Sequence, residues 1–453
     1  MGKYFGTDGV RGRANEELTA ELALSIGRAA AVVLAENRTD GKRPRVVIGR
    51  DTRCSGEMLE NAIAAGLLSA GADVYRLGVI PTPGVARLTA QYEMDAGVMV
   101  SASHNPFEDN GIKLFNRSGY KLSDGVEEEM EAIMDGRKTA EGIIAAPKDM
   151  GQCFDWSRRA ADDYANYLRS CASFRLPGCK IAFDCANGSA SATAAKVFRD
   201  CGAECVFLND RPNGFNINAG CGSTHIQFLA DYVKAEHCDL GVAFDGDADR
   251  CIMVDREGNV VDGDKLIAIC AQYMKQHGLL KDNAVVVTVM SNLGFFKFAQ
   301  EEELRTDVTA VGDRYILERM LEKGYTLGGE ASGHIIFSQY MNTGDGQLSA
   351  LRVLEIMAET GRSLGAMASV MDTYPQAMEN LKVTKEERAR YDGNEQVEAY
   401  IREQQELLGN GGRILVRPSG TEPLIRVMAE GKDQGEIQSL VERMAARIGE
   451  LLR

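Results

Sequence analysis

Several absences narrow the field before any motif is read. No apolar run approaches the ~18 residues that a membrane-crossing helix needs. Met1-Gly2-Lys3-Tyr4-Phe5-Gly6 carries no apolar core of signal-peptide length. The 11 cysteines include no C-x-x-C pair and no zinc-finger spacing. Ten of them fall between Cys153 and Cys270, mostly beside apolar residues, and read as buried free thiols in a reducing cytoplasm. Basic residues do not predominate: 51 Lys and Arg against 66 Asp and Glu leave a net charge of −15. A global nucleic-acid binder would carry the opposite sign, and an anionic substrate needs local basic clusters to overcome the field. No G-x-x-x-x-G-K-[ST] stretch and no G-x-S-x-G elbow occurs, so neither a P-loop nor an α/β-hydrolase site is expected. The expectation is a cytoplasmic protein with no nucleic-acid and no membrane partner.

What is present is the composition of a folded protein: 453 residues, 44% hydrophobic and 26% charged. At about 100–200 residues per domain that suggests three or four domains. Strands are expected at 46–48, 74–77 and 96–100, with helices from Thr19 through Leu34, up to about Ala70, from Pro83, and over 124–134. Strands alternating with helices argue for a doubly wound α/β sheet. The polar stretch 135–155 reads as a linker. The rhythm repeats, with strands at 181–183, 205–208 and 240–244 and an alanine-rich helix ending at Cys201. Further helices are expected over 264–275, 292–300 and 347–359. The last part differs in order: a strand near 381–383, one helix to about Leu408, then strands at 413–416 and 424–428. The expected domain bounds are 1–150, 151–254, 255–368 and 369–453.

Four loops carry the chemistry. Ser101-Ala102-Ser103-His104-Asn105-Pro106 follows an apolar strand, where α/β sheets bind ligands. Asn105-Pro106 and Asp109-Asn110-Gly111 around it read as turn signals. A serine there becomes a nucleophile once a base or a metal activates it, and Lys113 is a candidate base. Asp245-Gly246-Asp247-Ala248-Asp249-Arg250 follows a second apolar strand. Three carboxylates at alternate positions repel one another unless a cation draws them together, and an all-oxygen set favours a hard ion such as Mg²⁺. An EF-hand needs Gly at the sixth position and Glu at the twelfth, where this chain has Arg250 and Arg256. Glu330, Ser332 and His334 alternate in a glycine-rich loop suited to sugar hydroxyls. Arg417, Ser419, Gly420, Thr421 and Arg426 surround a turn between two strands, a pattern that cradles phosphate. A serine acceptor, a metal loop, a base and a separate anion site together suit phosphoryl transfer.

These loops, with Phe5-Gly6-Thr7-Asp8-Gly9-Val10-Arg11-Gly12 ahead of them, resemble in order and spacing the α-D-phosphohexomutase family over essentially the whole chain. Residues 221–225 (CGSTH), 290–295 (MSNLGF), 312–315 (GDRY) and 342–346 (NTGDG) resemble its bacterial glucosamine branch. The resemblance implies four domains around a central cleft, the first three of related mixed α/β topology and the fourth a smaller, distinct α+β domain. It implies that Ser103 is phosphorylated in the resting enzyme and holds one Mg²⁺ with Asp245, Asp247 and Asp249. Arg11 and Arg250 would steady the transferring group, and Lys113, with His104 nearby, would serve as acid and base. Glu330 and Ser332 would read sugar hydroxyls with His334 beside them, and Arg417, Ser419, Gly420, Thr421 and Arg426 would grip the phosphate that is not reacting. The implied reaction interconverts glucosamine 6-phosphate and glucosamine 1-phosphate through a 1,6-bisphosphate. The partner is a small sugar phosphate, with a homodimer as an open possibility. Ala331 stands where relatives of broader glucose and mannose preference tend to carry Met. Glucose- or mannose-phosphate mutation, a Mg²⁺-dependent phosphatase and a non-catalytic sugar-phosphate binder are the competing readings. Ser101 is either a helper hydroxyl or a loop hydrogen bond.

Overall fold

The computed structural model describes residues 2–6, 8–36, 41–138, 144–419 and 423–453. Among them, four sheets follow one another along the chain. The first contains β1 (Val10–Arg13), β2 (Arg45–Arg50), β3 (Asp73–Val79), β4 (Ala96–Val100), β5 (Asp109–Asn116) and β6 (Cys153–Asp155), in the order β1-β5-β4-β2-β3-β6. The second contains β7 (Lys180–Asp184), β8 (Glu204–Leu208), β9 (Leu240–Phe244), β10 (Cys251–Asp255) and β11 (Val260–Val261), in the order β11-β10-β9-β7-β8. The third contains β12 (Ala284–Thr288), β13 (Arg305–Thr309), β14 (Leu327–Gly329) and β15 (Ile335–Phe337), in the order β13-β12-β14-β15. The smaller fourth sheet is antiparallel throughout: β16 (Gln376–Lys382), β17 (Arg413–Pro418) and β18 (Leu424–Glu430), in the order β16-β18-β17. This is a four-domain α/β protein with a distinct, sheet-rich C-terminal domain.

One topological rule places the chemistry. Each of the first three sheets is built on parallel strands, one of which turns straight back into an antiparallel neighbour, at β4 to β5, β9 to β10, and β14 to β15. The serine loop, the acidic loop and the Glu330 loop are those three reversals. The fourth candidate loop joins antiparallel β17 and β18. Central strands such as β4, β9 and β12 are buried along their whole length, so each loop leaves a rigid support.

Packing divides the chain into two compact units, Met1–Met290 with Leu304–Val370, and Ser291–Glu303 with Met371–Arg453. The helix Leu293–Glu301 belongs to the second unit. Its N-cap Asn292 exchanges hydrogen bonds with Tyr374, and a Cβ on Gly294 would lie 1.7 Å from the Asp372 carbonyl.

Some local expectations fail for physical reasons. Asp109-Asn110-Gly111 is the start of β5 rather than a turn. Asn110 is fully buried and donates to Ser55 Oγ at 2.8 Å, and a Cβ on Gly111 would lie 2.6 Å from the Ser101 carbonyl. The linker stretch 135–155 supplies β6, which pairs with β3. The alanine-rich helix is broken around Thr193, whose hydroxyl accepts a hydrogen bond from Gln347 at 2.6 Å. The single helix to Leu408 is two, Lys385–Tyr391 and Glu395–Leu408; Gly393, at φ +73°, breaks it and Asn394 caps the second.

Candidate active site

Ser103 lies just beyond β4 with φ +52°, a left-handed backbone that costs a non-glycine residue about 1–2 kcal/mol. The surroundings hold it there. Its N–H donates to Ser101 Oγ at 3.0 Å, and its carbonyl accepts from Arg53 Nη2 at 2.8 Å and Asn218 Nδ2 at 2.9 Å. The buried hydroxyl donates to Asp245 Oδ2 at 2.6 Å, and His104 Nδ1 stands 3.5 Å away. The acidic loop reaches the serine loop because residue 246 is glycine: a Cβ would lie 2.4 Å from the Ser103 carbonyl oxygen.

Asp245, Asp247 and Asp249 are all buried and offer carboxylate oxygens within 4.8 Å of one another. Asp245 Oδ1 accepts from the Arg250 backbone at 3.2 Å, and Asp247 Oδ2 accepts from Thr82 Oγ1 at 2.6 Å and Lys113 Nζ at 3.0 Å. Asp247 Oδ1 and Asp249 Oδ1 are buried with no hydrogen-bond donor among the described residues. Buried carboxylate oxygens without donors, converging on one point, fit a hard cation, so the loop suits a metal site. The electrostatics agree. Burial, then the neighbouring Asp249 and Asp247 charges, push the Asp245 carboxyl well above its usual range. Asp247 moves the other way, because Lys113 and the Thr82 hydroxyl outweigh its burial.

The cations are themselves networked. Burial opposes the Lys113 charge, but Asp247, Asp8 and Asp249 raise its pKa, so it stands as an ammonium. Asp8 ties the group together: it pairs with Arg11, takes Lys121 Nζ at 2.6 Å, and lies 3.4 Å from Lys113 Nζ. Lys121 also reaches Asp313 at 2.8 Å. Arg250 Nε is 3.8 Å from Asp249 Oδ1. His104 stays neutral, its pKa lowered to about 4 by burial and then by Arg250 and Arg11.

The third loop divides its residues. Glu330 faces a cavity of about 950 Å³ also lined by Ser103, Arg11, Asp249 and Arg250, and accepts the Gly312 N–H at 3.2 Å. Ser332 is exposed and does not line that cavity. His334 is buried beneath Asp249, with Nδ1 3.5 Å from Asp249 Oδ2. Its Nε2 accepts the Gly344 N–H at 3.1 Å. Burial opposes its charge, and Asp249, Asp313 and Glu330 draw its pKa up to about 9. The accepted N–H nevertheless requires a lone pair on Nε2, so a neutral ring with its proton on Nδ1 satisfies both contacts.

In the second unit, Arg417 and Arg426 are direct partners across antiparallel β17 and β18. Like charges so placed destabilise a sheet unless an anion lies between them. Burial and then Arg426 lower the Arg417 pKa. Ser419 is buried, and its N–H donates to the Leu424 carbonyl at 2.9 Å. Gly420 and Thr421 lie outside the described residues.

The chain matches models of phosphoglucomutase/phosphomannomutase alpha/beta/alpha domain I over residues 2–141, domain II over 162–258 and domain III over 262–374. The C-terminal domain model of the same family matches 378–447. The chain belongs to the phosphoglucomutase/phosphomannomutase family. Similar family members include a phosphoglucosamine mutase of Brevibacillus brevis, 52% identical over 98% of each chain, and one of Clostridium perfringens, 49% identical over 99% of each. Among solved structures, a family protein of Burkholderia thailandensis superposes with a TM-score of 0.80 at 24% identity, covering 99% of this chain and 97% of that one. An Aspergillus fumigatus N-acetylphosphoglucosamine mutase, solved with GlcNAc-6P and magnesium, gives 0.65 at 18% identity, covering 99% and 96%.

Sequence reasoning missed Asp8, Asp51, Arg53, Thr82, Lys121, Asn218 and Asp313 as site components. Asp51 and Arg53 carry a usable signal: they too follow a buried parallel strand, β2, at the end where α/β sheets bind ligands.

Proposed function

We propose that this protein is a phosphoglucosamine mutase, an isomerase that interconverts glucosamine 6-phosphate and glucosamine 1-phosphate through a phosphoserine enzyme and a 1,6-bisphosphate. One observation carries the reading: the Ser103 hydroxyl sits 2.6 Å from Asp245 inside a converging acidic triad. The names of relatives near 50% identity over nearly the whole chain favour the glucosamine sugar. The product would feed synthesis of UDP-N-acetylglucosamine in the cytoplasm. The working domains keep the expected order of four, with the first two bounds moved from 150 and 254 to just past β6 and β11, and the fourth beginning near 369.

Ser103, Asp245, Asp247 and Asp249 hold one Mg²⁺. When bound, that ion offsets charge developing on phosphoryl oxygens. Phosphoserine 103 gives its phosphoryl group to the free sugar hydroxyl: a new P–O bond forms as the P–Oγ bond breaks. Neutral His104 takes the hydroxyl proton, and the Lys113 ammonium donates to the departing Ser103 oxygen. Arg11 and Arg250 steady the group in transit. Glu330 reads sugar hydroxyls from the cavity wall, Ser332 stands on the exposed side of the same loop, and His334 holds Asp249. Arg417, Ser419, Gly420, Thr421 and Arg426 keep the far phosphate. Ser103 then takes the other phosphate from the turned bisphosphate. The phosphatase reading leaves that second anion site without a purpose.

Intact-mass and peptide mapping of purified protein, followed by exchange into labelled sugar phosphate, tests the proposal. Phosphate on Ser103 that moves into glucosamine phosphate supports it. Release of free phosphate faster than isomerisation refutes it. Turnover on glucosamine, glucose and mannose phosphates fixes the sugar.

A further inference from the structure

Arg53 is among the largest fully buried side chains of the described chain, at 1% exposure, and every hydrogen bond it donates from its side chain is spent near Ser103. Its Nε donates to Asp51 Oδ2 at 2.9 Å. Its Nη2 donates to the carbonyls of Ser103 at 2.8 Å and Asn105 at 2.9 Å, and its Nη1 to those of Pro106 and, at 3.1 Å, Asp109. Four carbonyls of one loop thus converge on one guanidinium. Asp51 completes the frame. Its Oδ1 accepts the Arg53 N–H at 2.9 Å, and its Oδ2 accepts the Ser101 hydroxyl at 2.6 Å. Ser101 Oγ in turn accepts the Ser103 N–H at 3.0 Å. Asp51 and Ser101 are fully buried.

A loop that only needed to turn would not require a buried ion pair, since turn residues satisfy their own backbone. The frame grips Ser103 on both sides of its Cα, at the N–H and at the carbonyl. Those two groups set the peptide planes flanking the left-handed residue, and so aim its Oγ at Asp245. Arginine suits the task because its fork is planar and permanently charged.

We infer that Arg53, Asp51 and Ser101 are positioning residues for phosphoryl transfer, a frame that fixes the backbone of Ser103 so that its oxygen stays aimed at the acidic loop. None of the three touches the reacting atoms. The inference rests on the proposed role of Ser103. It also assigns Ser101, whose hydroxyl relays Asp51 to the Ser103 amide.

The test uses the full-length protein and follows phosphoryl transfer from phosphoserine 103 to glucosamine 6-phosphate in a single turnover, beside steady-state kcat, KM and Tm. Intact mass of the wild type comes first: if it takes no phosphate on Ser103, the functional reading fails and not this inference alone. With that in hand, Ser101→Ala is expected to slow transfer and kcat by about tenfold or more with KM unchanged, and Ser101→Thr, which keeps the hydroxyl, to restore most of the rate. Arg53→Lys, which keeps the charge and loses the fork, is expected to slow transfer by about 10²-fold. If Arg53→Lys does not fold, the serine pair decides. A Ser101→Ala enzyme that transfers at the wild-type rate overturns the inference, whether or not its Tm falls. A change in KM alone, or a Thr variant no faster than Ala, overturns it equally.

Discussion

Replacing Gly246 by alanine tests how tightly the serine and acidic loops must approach. The new Cβ would lie 2.4 Å from the Ser103 carbonyl oxygen, 2.8 Å from Asn218 Nδ2 and 2.9 Å from Ile217 Cδ1. A comfortable carbon–oxygen contact begins near 3.3 Å, so the loops must part by about 0.9 Å. The obstacle is backbone, pinned by Arg53 and Asn218, so it has little room to yield. Separation by that amount stretches the 2.6 Å contact between Ser103 Oγ and Asp245 to about 3.5 Å, beyond hydrogen-bond range. A misplacement of about 1 Å costs on the order of 10²-fold in rate, and overpacking costs about 1–3 kcal/mol of stability. Stopped single-turnover transfer and thermal unfolding measure the two effects separately. Gly125→Ala is the control: its Cβ meets nothing within 4 Å on an exposed helix turn, and it should transfer normally with unchanged or slightly raised Tm. A Gly246→Ala enzyme with wild-type transfer would refute the claim that this contact sets the geometry.

Arg417→Ala should raise KM for the sugar phosphate by about 10–100-fold, the worth of a charged hydrogen bond, while phosphate occupancy on Ser103 stays normal; kinetics and intact mass check both. Asp247→Asn removes a proposed metal ligand and the main partner of Lys113, so calorimetric titration with Mg²⁺ or Mn²⁺ should show affinity reduced by at least about tenfold. His104 predicts a pH effect on stability. Its folded pKa of about 4 lies below the ordinary histidine value, so the unfolded chain binds the extra proton between about 6.5 and 4. Stability from this group is therefore intact above that window and lost as pH falls through it. In metal-free buffer, the Tm difference between wild type and His104→Gln should shift against wild type on acidification, and a pH-independent difference would count against a buried neutral imidazole.

The strand ends were legible because buried strands announce themselves as apolar runs, and the loops after them because glycines and alternating carboxylates have few other uses. Asp245, Asp247 and Asp249 could be grouped from spacing alone, since a curled loop brings alternate positions together. The network around them could not be. Lys121 meets Asp313 across 192 positions and Thr82 meets Asp247 across 165, contacts that only the packing of separate sheets creates. His334 and Ser332 show the same limit at short range. Two positions apart in one loop, one is buried under Asp249 and the other is exposed, because the glycine turn at 333, φ +91°, sends them apart. Asp109-Asn110-Gly111 misled because turn-forming residues also serve where a strand needs a small residue against another backbone. The position of Arg53 after a buried strand hints at a site, but its role does not show locally, because its partners are carbonyls about fifty residues away.

The charges around Ser103 explain why the acidic loop needs a cation and what competes for its place. Asp8, Asp245, Asp247, Asp249, Asp313 and Glu330 face Arg11, Lys113, Lys121 and Arg250, so carboxylates outnumber permanent cations before any phosphate is present. A phosphate on Ser103 adds about −1.5 to −2 more. Without a metal, the loop's way to shed charge is to take up a proton, and burial together with Asp249 and Asp247 selects Asp245 for it by lifting its carboxyl well above the usual range. Proton and metal then occupy the same site in turn, since a ligand must be deprotonated to bind. Metal binding should therefore release a proton, and affinity should fall as pH falls, measurable as a buffer-dependent heat in calorimetry. Asp247 should not share in this, because Lys113 and Thr82 already hold it ionised. An affinity flat with pH, with no proton released, would mean that Asp245 is charged without its cation and that the surrounding ammonium and guanidinium groups suffice to hold it so.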